Sequence, residues 1–308
     1  MEYNERIKNE KEHFDLLSSQ AQKSSEKVER ELPVVDAFQY AYKIYEPVFN
    51  KKMPHFDIEK YILDIVNDSE GETTLASLGC GTGDWEIELL KKNPDKIKID
   101  LIEINEEILK YAKEYCQKNK LRINNIIQDV NKLKLEKEHY DFILVRSSLH
   151  HFIEFEHIFL EVSKALKTNG KFLVMGEVIG KNGHVLYYQT REKIQRIMDV
   201  LPEKYRYNHN TKKIDVSYPN IDYSLNTFEG IRCEEIYSII QEYFEPIEQI
   251  VFDSIITFLL DFRYGPNYNL EDNFDKAIIE SFVHLDSYYL ECGILKPTTL
   301  FGIYEKIT

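Results

Sequence analysis

The chain has 308 residues, 43% apolar and 30% charged, with a formal net charge of −14. That length suits one domain with insertions, no apolar run approaches the ~20 residues of a membrane span, and the charged opening from Tyr3 through Glu31 excludes a secretory signal. A cytoplasmic protein is expected, and the acidic balance argues against nucleic acid as a main partner, because phosphate binding wants a basic face.

Residues 1–31 read as a polar helix or arm with few apolar positions. From Val34 to Phe49 the chain turns aromatic, with Phe38, Tyr40, Tyr42, Tyr45 and Phe49 suggesting a helix with a partly apolar face. A second helix is expected over about Asp57–Val66, so residues 1–72 form an N-terminal helical arm and cap. From residue 73 short apolar runs alternate with amphipathic stretches: strands at Thr74–Leu78, Ile97–Ile102, Ile123–Ile127, Tyr140–Val145 and Lys171–Met175. Helices are expected at Asp84–Lys92, Glu106–Lys118 behind an Asn105 cap, and Glu154–Leu166. This alternation predicts an α/β, doubly wound, Rossmann-like fold, with a mostly parallel seven-stranded sheet and helices on both faces. After Gly180 the rhythm breaks. Residues 181–230 are polar and tyrosine-rich with no clean strand, and 257–297 hold helical pieces; both read as late insertions bordering a substrate pocket. Between and after them come a helix at Cys233–Phe244, a strand at Ile247–Phe252 and a last strand at Thr299–Ile307.

Cys80, Cys116, Cys233 and Cys292 show no CxxC spacing, and the histidines form no HExxH pattern. Neither a disulfide framework nor a metal site is expected.

The informative segment is Leu75-Ala-Ser-Leu-Gly-Cys-Gly-Thr-Gly-Asp-Trp85, which follows a strand and opens a helix. Gly79, Gly81 and Gly83 permit a tight turn and keep side chains out of a ligand's path. The next strand ends in Glu103, placed to accept hydrogen bonds from both hydroxyls of a ribose. Together they suggest an adenosine-containing ligand. A dinucleotide loop would want a third glycine in GxGxxG spacing, where this chain has Asp84, and no Tyr-x-x-x-Lys pair occurs.

Leu78-Gly-Cys-Gly-Thr-Gly83, Glu103, Gln128-Asp129-Val130, Tyr140 through Phe152 and Ala165 through Val174 follow one another in the order and spacing of class I S-adenosylmethionine (SAM)-dependent methyltransferases. Residues 73–178 resemble that family. The resemblance implies that Gly79, Gly81 and Gly83 surround the methionine part of SAM. It implies that Glu103 binds the ribose, that Asp129 and Val130 hold the adenine, and that Arg146 lies beside the cofactor through its backbone. Many members carry an acidic residue two before the first loop glycine; Ser77 stands there in this chain. The layout of the aromatic N-terminal helix and the late insertions also resembles histamine N-methyltransferases.

His150 and His151 follow the fourth strand, at the carboxyl edge where ligands bind in such sheets. With an ordinary pKa of about 6.5 either is a candidate base or acceptor contact, the plain alternative being a strand-end cap. Tyr187 and Tyr188 are candidate walls of the acceptor pocket, and Tyr42 and Tyr45 candidate closures from the N-terminal side. Aromatic walls suit an apolar ring or an amine, though each tyrosine reads first as an ordinary core or surface residue. The expected activity is methyl transfer from SAM to an N or O atom of a small molecule. The alternatives are a catalytically silent SAM-binding regulatory or scaffold module, and an oxidoreductase on a similar sheet.

Overall fold

The computed structural model describes residues 3–12 and 35–307. Residues 13–34, which include most of the polar arm expected over 1–31, lie outside the described residues; 3–12 form a helix, α1.

Helix α2 (Asp36–Lys52) and helix α3 (Ile58–Asp68) precede the sheet. In α3 the Asp57 side chain caps the N-terminus by accepting from the Lys60 amide at 3.0 Å, and Ile58, Ile62 and Val66 make one buried stripe. Then follow β1 (Thr73–Leu78), α4 (Asp84–Lys92), β2 (Ile97–Glu103), α5 (Glu106–Asn119), β3 (Ile123–Ile127), β4 (Tyr140–Arg146), α6 (Phe155–Ala165) and β5 (Leu166–Val178). The chain ends through α7 (Tyr188–Val200), a minimal hairpin of β6 (Tyr207–Asn208) and β7 (Lys213–Ile214), α8 (Cys233–Tyr243), β8 (Phe244–Phe252), α9 (Ile256–Leu260), α10 (Asn273–Glu291) and β9 (Thr299–Lys306). The 181–230 stretch thus holds a 13-residue helix and the short β6–β7 pair. The polar, tyrosine-rich composition hid that helix, whose buried stripe is only Thr190, Ile194 and Met198.

The main sheet has seven strands in the order β3-β2-β1-β4-β5-β9-β8. Strands β1 to β5 pair in parallel, and β9 runs antiparallel to both β5 and β8. Side-chain alternation along the strands feeds two cores. Leu75, Phe142 and Leu144 point into one layer, with α2, α3 and α10. Ala76, Ile143 and Val145 point into the other, with α6 and α8. Strand order reverses between β1 and β4, so their carboxyl ends open a crevice.

One irregularity aims a functional side chain. Pairing between β5 and β9 shifts register between Val174 and Glu177, and Gly176 in between adopts φ +65°. A bulge of this kind redirects the next side chain. It turns the Glu177 carboxylate under the loop that follows β4.

Candidate active site

The glycine loop sits at the crevice between β1 and β4. Gly79, Gly81 and Gly83 have φ of +65°, +57° and +71°. A Cβ on Gly79 would stand 2.9 Å from the Phe152 ring, and one on Gly83 2.9 Å from Leu101. At Gly81 it would meet nothing within 4 Å. Two of the glycines therefore allow close packing of the loop, while Gly81 borders open space suited to a ligand.

Glu103 closes the far side. Its Oε2 accepts from the Gly81 amide at 3.1 Å, and its Oε1 from the amides of Ile104 and Asn105 at 2.8 and 3.1 Å. Burial raises its pKa, partly offset by those donors. The Gln128 amide donates to the Glu103 carbonyl at 3.0 Å, carrying Asp129 and Val130 to the same edge. Asp129 Oδ1 accepts from the Asn131 amide at 3.0 Å, and Val130 is buried. Arg146, at the end of β4, is exposed. Ser77 donates to buried Glu86 at 2.6 Å. A carboxylate from α4 thus reaches Ser77, two residues before the first loop glycine, and burial raises its pKa.

The loop after β4 is organised around Glu177. This fully buried carboxylate accepts from the amides of Ser148, Leu149, His150 and Val178 at 3.0, 2.8, 3.1 and 2.9 Å. It also lies 2.6 Å from His150 Nδ1. Burial pushes its pKa up, but the His150 charge and the surrounding donors outweigh that and hold it below the ordinary value.

His150 and His151 come together with two groups from elsewhere in the chain. Glu229 Oε1 stands 3.5 Å from His150 Nε2 and 3.2 Å from His184 Nε2, and Glu229 Oε2 stands 3.4 Å from His151 Nε2. Glu10 of α1 lies 2.5 Å from His151 Nδ1. Burial works against a charge on His151, but the Glu10 hydrogen bond and the Glu229, Glu10 and Glu177 charges raise its pKa above the ordinary value. His184 goes the other way, lowered to about 4 chiefly by burial. The two imidazoles are thus shifted in opposite directions, and His184 is neutral at pH 7.

Helix α1 lies across this edge. Tyr3 donates to Asp129 Oδ2 at 2.6 Å, Arg6 donates to the Ser224 carbonyl at 2.6 Å, and Glu10 Oε2 accepts from the Phe228 amide at 3.1 Å. The helix so covers the end of the crevice that holds Asp129 and His151.

An apolar pocket opens next to His184, with Val178, Gly180, Tyr187, Phe258 and Thr299 among its walls. The four candidate tyrosines fare differently. Tyr187 lines the pocket. Tyr42 stands one layer behind, hydrogen-bonded to the wall residue Thr299. Tyr45 is in the core, 3% exposed, with its hydroxyl on Asp286. Tyr188 is 79% exposed. Local spacing carries no signal for Glu10, Glu86, His184 or Glu229, because all arrive by tertiary contact. Glu177 alone left a trace, as a lone carboxylate at the end of an apolar strand.

Among the described residues no helix is long and apolar enough to cross a membrane. A methyltransferase domain family model matches residues 69–242, more than half of the chain. Malonyl-[acyl-carrier protein] O-methyltransferase 2 of Ilyobacter polytropus is 24% identical over 225 residues, covering 71% of this chain and 82% of that protein. Malonyl-[acyl-carrier protein] O-methyltransferase 1 of the same organism is 25% identical over 162 residues, covering 51% of this chain and 56% of that protein. Among solved structures, the PH0226 protein of Pyrococcus horikoshii aligns with a TM-score of 0.42 at 15% identity, covering 88% of this chain and 91% of that one. With the glycine loop, Glu103 and the parallel sheet in place, the match places the chain in the methyltransferase domain family, as a class I SAM-dependent methyltransferase.

Proposed function

We propose that this enzyme transfers the methyl group of SAM to an N or O atom of a small molecule held in the apolar pocket beside His184. The observation that carries this reading is the position of that pocket. It is walled by Val178, Tyr187 and Phe258 at the carboxyl end of β5, one strand from the glycine loop's neighbour β4. Gly79, Gly81 and Gly83 would hold the methionine part of SAM, Glu103 the ribose, Asp129 and Val130 the adenine, and Arg146 would flank it through its backbone. Bound SAM supplies a sulfonium methyl open to in-line attack. The protein's part is then to orient the acceptor's lone pair and exclude water, which is worth on the order of ~7–11 kcal/mol in ideal cases.

The proton requirement narrows the acceptor. A neutral amine or an ionised carboxylate brings its own lone pair, whereas a hydroxyl needs a base. His184, with a pKa lowered to about 4, is a weak base. His150 and His151 are the base or acceptor contacts of this reading, and an amine or carboxylate, which needs no base, asks least of the site. The O-methyltransferase name of the Ilyobacter relatives agrees with a heteroatom acceptor.

The test is calorimetric titration with SAM, S-adenosylhomocysteine and NADH, followed by S-adenosylhomocysteine release against panels of amines and carboxylic acids. Binding of both sulfur nucleotides and turnover with a panel member is the expected result. Binding without turnover on any panel would instead favour a silent SAM-binding module. Tight NADH binding in place of SAM would favour an oxidoreductase.

A further inference from the structure

Three imidazoles and one carboxylate meet where the loops after β4 and β5 approach the segment before α8. We infer that His150, His151 and Glu229, with His184 against the same carboxylate, form a binding site for a divalent transition metal of the zinc class. The ligand atoms of His150, His151 and Glu229 all lie within 4.8 Å of one another. His150, His151 and His184 each direct Nε2 at Glu229, at 3.5, 3.4 and 3.2 Å. Those separations are at or beyond the long end of N–H···O hydrogen bonds, about 2.7–3.2 Å. They match the edge of a coordination tetrahedron, because ligands about 2.0–2.1 Å from a zinc ion stand roughly 3.3 Å apart.

The outer groups complete the pattern. Glu177 holds His150 Nδ1 at 2.6 Å and Glu10 holds His151 Nδ1 at 2.5 Å. A carboxylate on Nδ1 fixes the proton there, orients the ring and leaves the Nε2 lone pair for a metal. The backbone joins the contributing segments: the Gly183 amide donates to the Gly230 carbonyl at 2.8 Å, and the Gly230 amide to the His150 carbonyl at 3.0 Å. A Cβ on Gly230 would stand 2.1 Å from His184, so only glycine lets that imidazole approach.

Charge and ligand type give the metal class. The carboxylates of Glu10, Glu177 and Glu229 converge on these imidazoles, and a site lined by carboxylate and imidazole suits a dication. Imidazole nitrogen with a single carboxylate selects zinc, cobalt or iron over magnesium and calcium, which prefer all-oxygen shells.

A metal held there would take the Nε2 atoms of His150 and His151, so in the loaded enzyme the acceptor would meet the metal site in place of free imidazoles; the test uses neither the acceptor nor methyl transfer. The full chain, stripped with a chelator, is titrated with Co2+ and followed by visible absorption, then challenged with Zn2+. Saturation at one equivalent is expected, with the intense absorption of four- or five-coordinate cobalt, bleached by Zn2+. Glu10→Gln keeps the described fold's core contacts and should weaken binding about 10–100-fold, the usual cost of losing an outer partner. Glu229→Gln and His184→Ala should weaken it at least as much. Weak six-coordinate absorption without saturation in the wild-type chain would overturn the inference, whether or not any variant folds. So would wild-type affinity in all three variants. A chain that binds Co2+ but not SAM would sink the methyltransferase mechanism and leave the metal site standing; the opposite pair of results would do the reverse.

Discussion

Replacing Glu177 by Gln tests the organisation of the loop after β4. In the wild type one buried carboxylate serves four backbone amides, those of Ser148, Leu149, His150 and Val178, besides His150 Nδ1. A glutamine keeps one carbonyl oxygen and turns an NH2 group toward the other two amides. Two buried donors left unmet cost about 1–3 kcal/mol each, so a loss of about 2–6 kcal/mol is expected. That is a large part of a typical total of about 5–15 kcal/mol. Urea denaturation of both proteins at pH 7 reads the difference. The pH dependence is a second check. The folded-state pKa of Glu177 lies below its ordinary value of 4.5. Its carboxylate therefore contributes fully above the unfolded-state value, and the contribution is lost as pH falls through the depressed folded value. The gap between wild type and variant should narrow as pH falls below 4.5. A gap within about 0.5 kcal/mol at pH 7, the range of an ordinary surface substitution, would refute the argument.

The other expectations are briefer. Gly81→Ala places a methyl in open space at φ +57°; it should cost about 1–2 kcal/mol from left-handed strain but abolish SAM binding by calorimetry, and undiminished SAM affinity would remove the loop from the cofactor site. Asp253 and Asp286 form a buried pair whose pKa values are raised by burial, Asp253 also by the Asp286 charge. A raised carboxyl pKa means stability lost as pH climbs above the unfolded value of about 3.9, and Asp253 sits at φ +60°, which asparagine tolerates. Asp253→Asn should therefore raise the melting temperature at pH 8 and have a smaller effect at pH 5; a destabilised variant at pH 8 would contradict the pairing. Tyr3→Phe releases the Asp129 oxygen that Tyr3 now occupies. It should tighten SAM binding a few-fold, and weaker binding would mean that Tyr3 supports the cofactor rather than competing with it.

The sheet and the glycine loop at its edge could be read from the chain because their signals are local. Apolar runs at β1, β4 and β5, the cap at Asn105, and glycines at 79, 81 and 83 each act within a few residues of themselves. Backbone periodicity and left-handed φ values are short-range properties, and the family's motifs are built from them. The helix α7 escaped because its buried stripe is narrow and polar at Thr190. Tyr42, Tyr45, Tyr187 and Tyr188 could not be ranked, since an aromatic residue carries the same signal in a core as on a pocket wall. Only the packed chain sets Tyr45 on Asp286 in the interior and Tyr187 on the pocket. The histidine cluster lies furthest from sequence reach. Glu10 meets His151 from the other end of the chain, Glu229 comes from the segment before α8, and Glu177 turns inward only because of a bulge at Gly176. The sequence by itself determined the sheet and the glycine loop. Tertiary structure alone decided which carboxylates meet His150 and His151, because charges far apart in sequence acquire partners only when the packing of the sheet brings their loops to one edge.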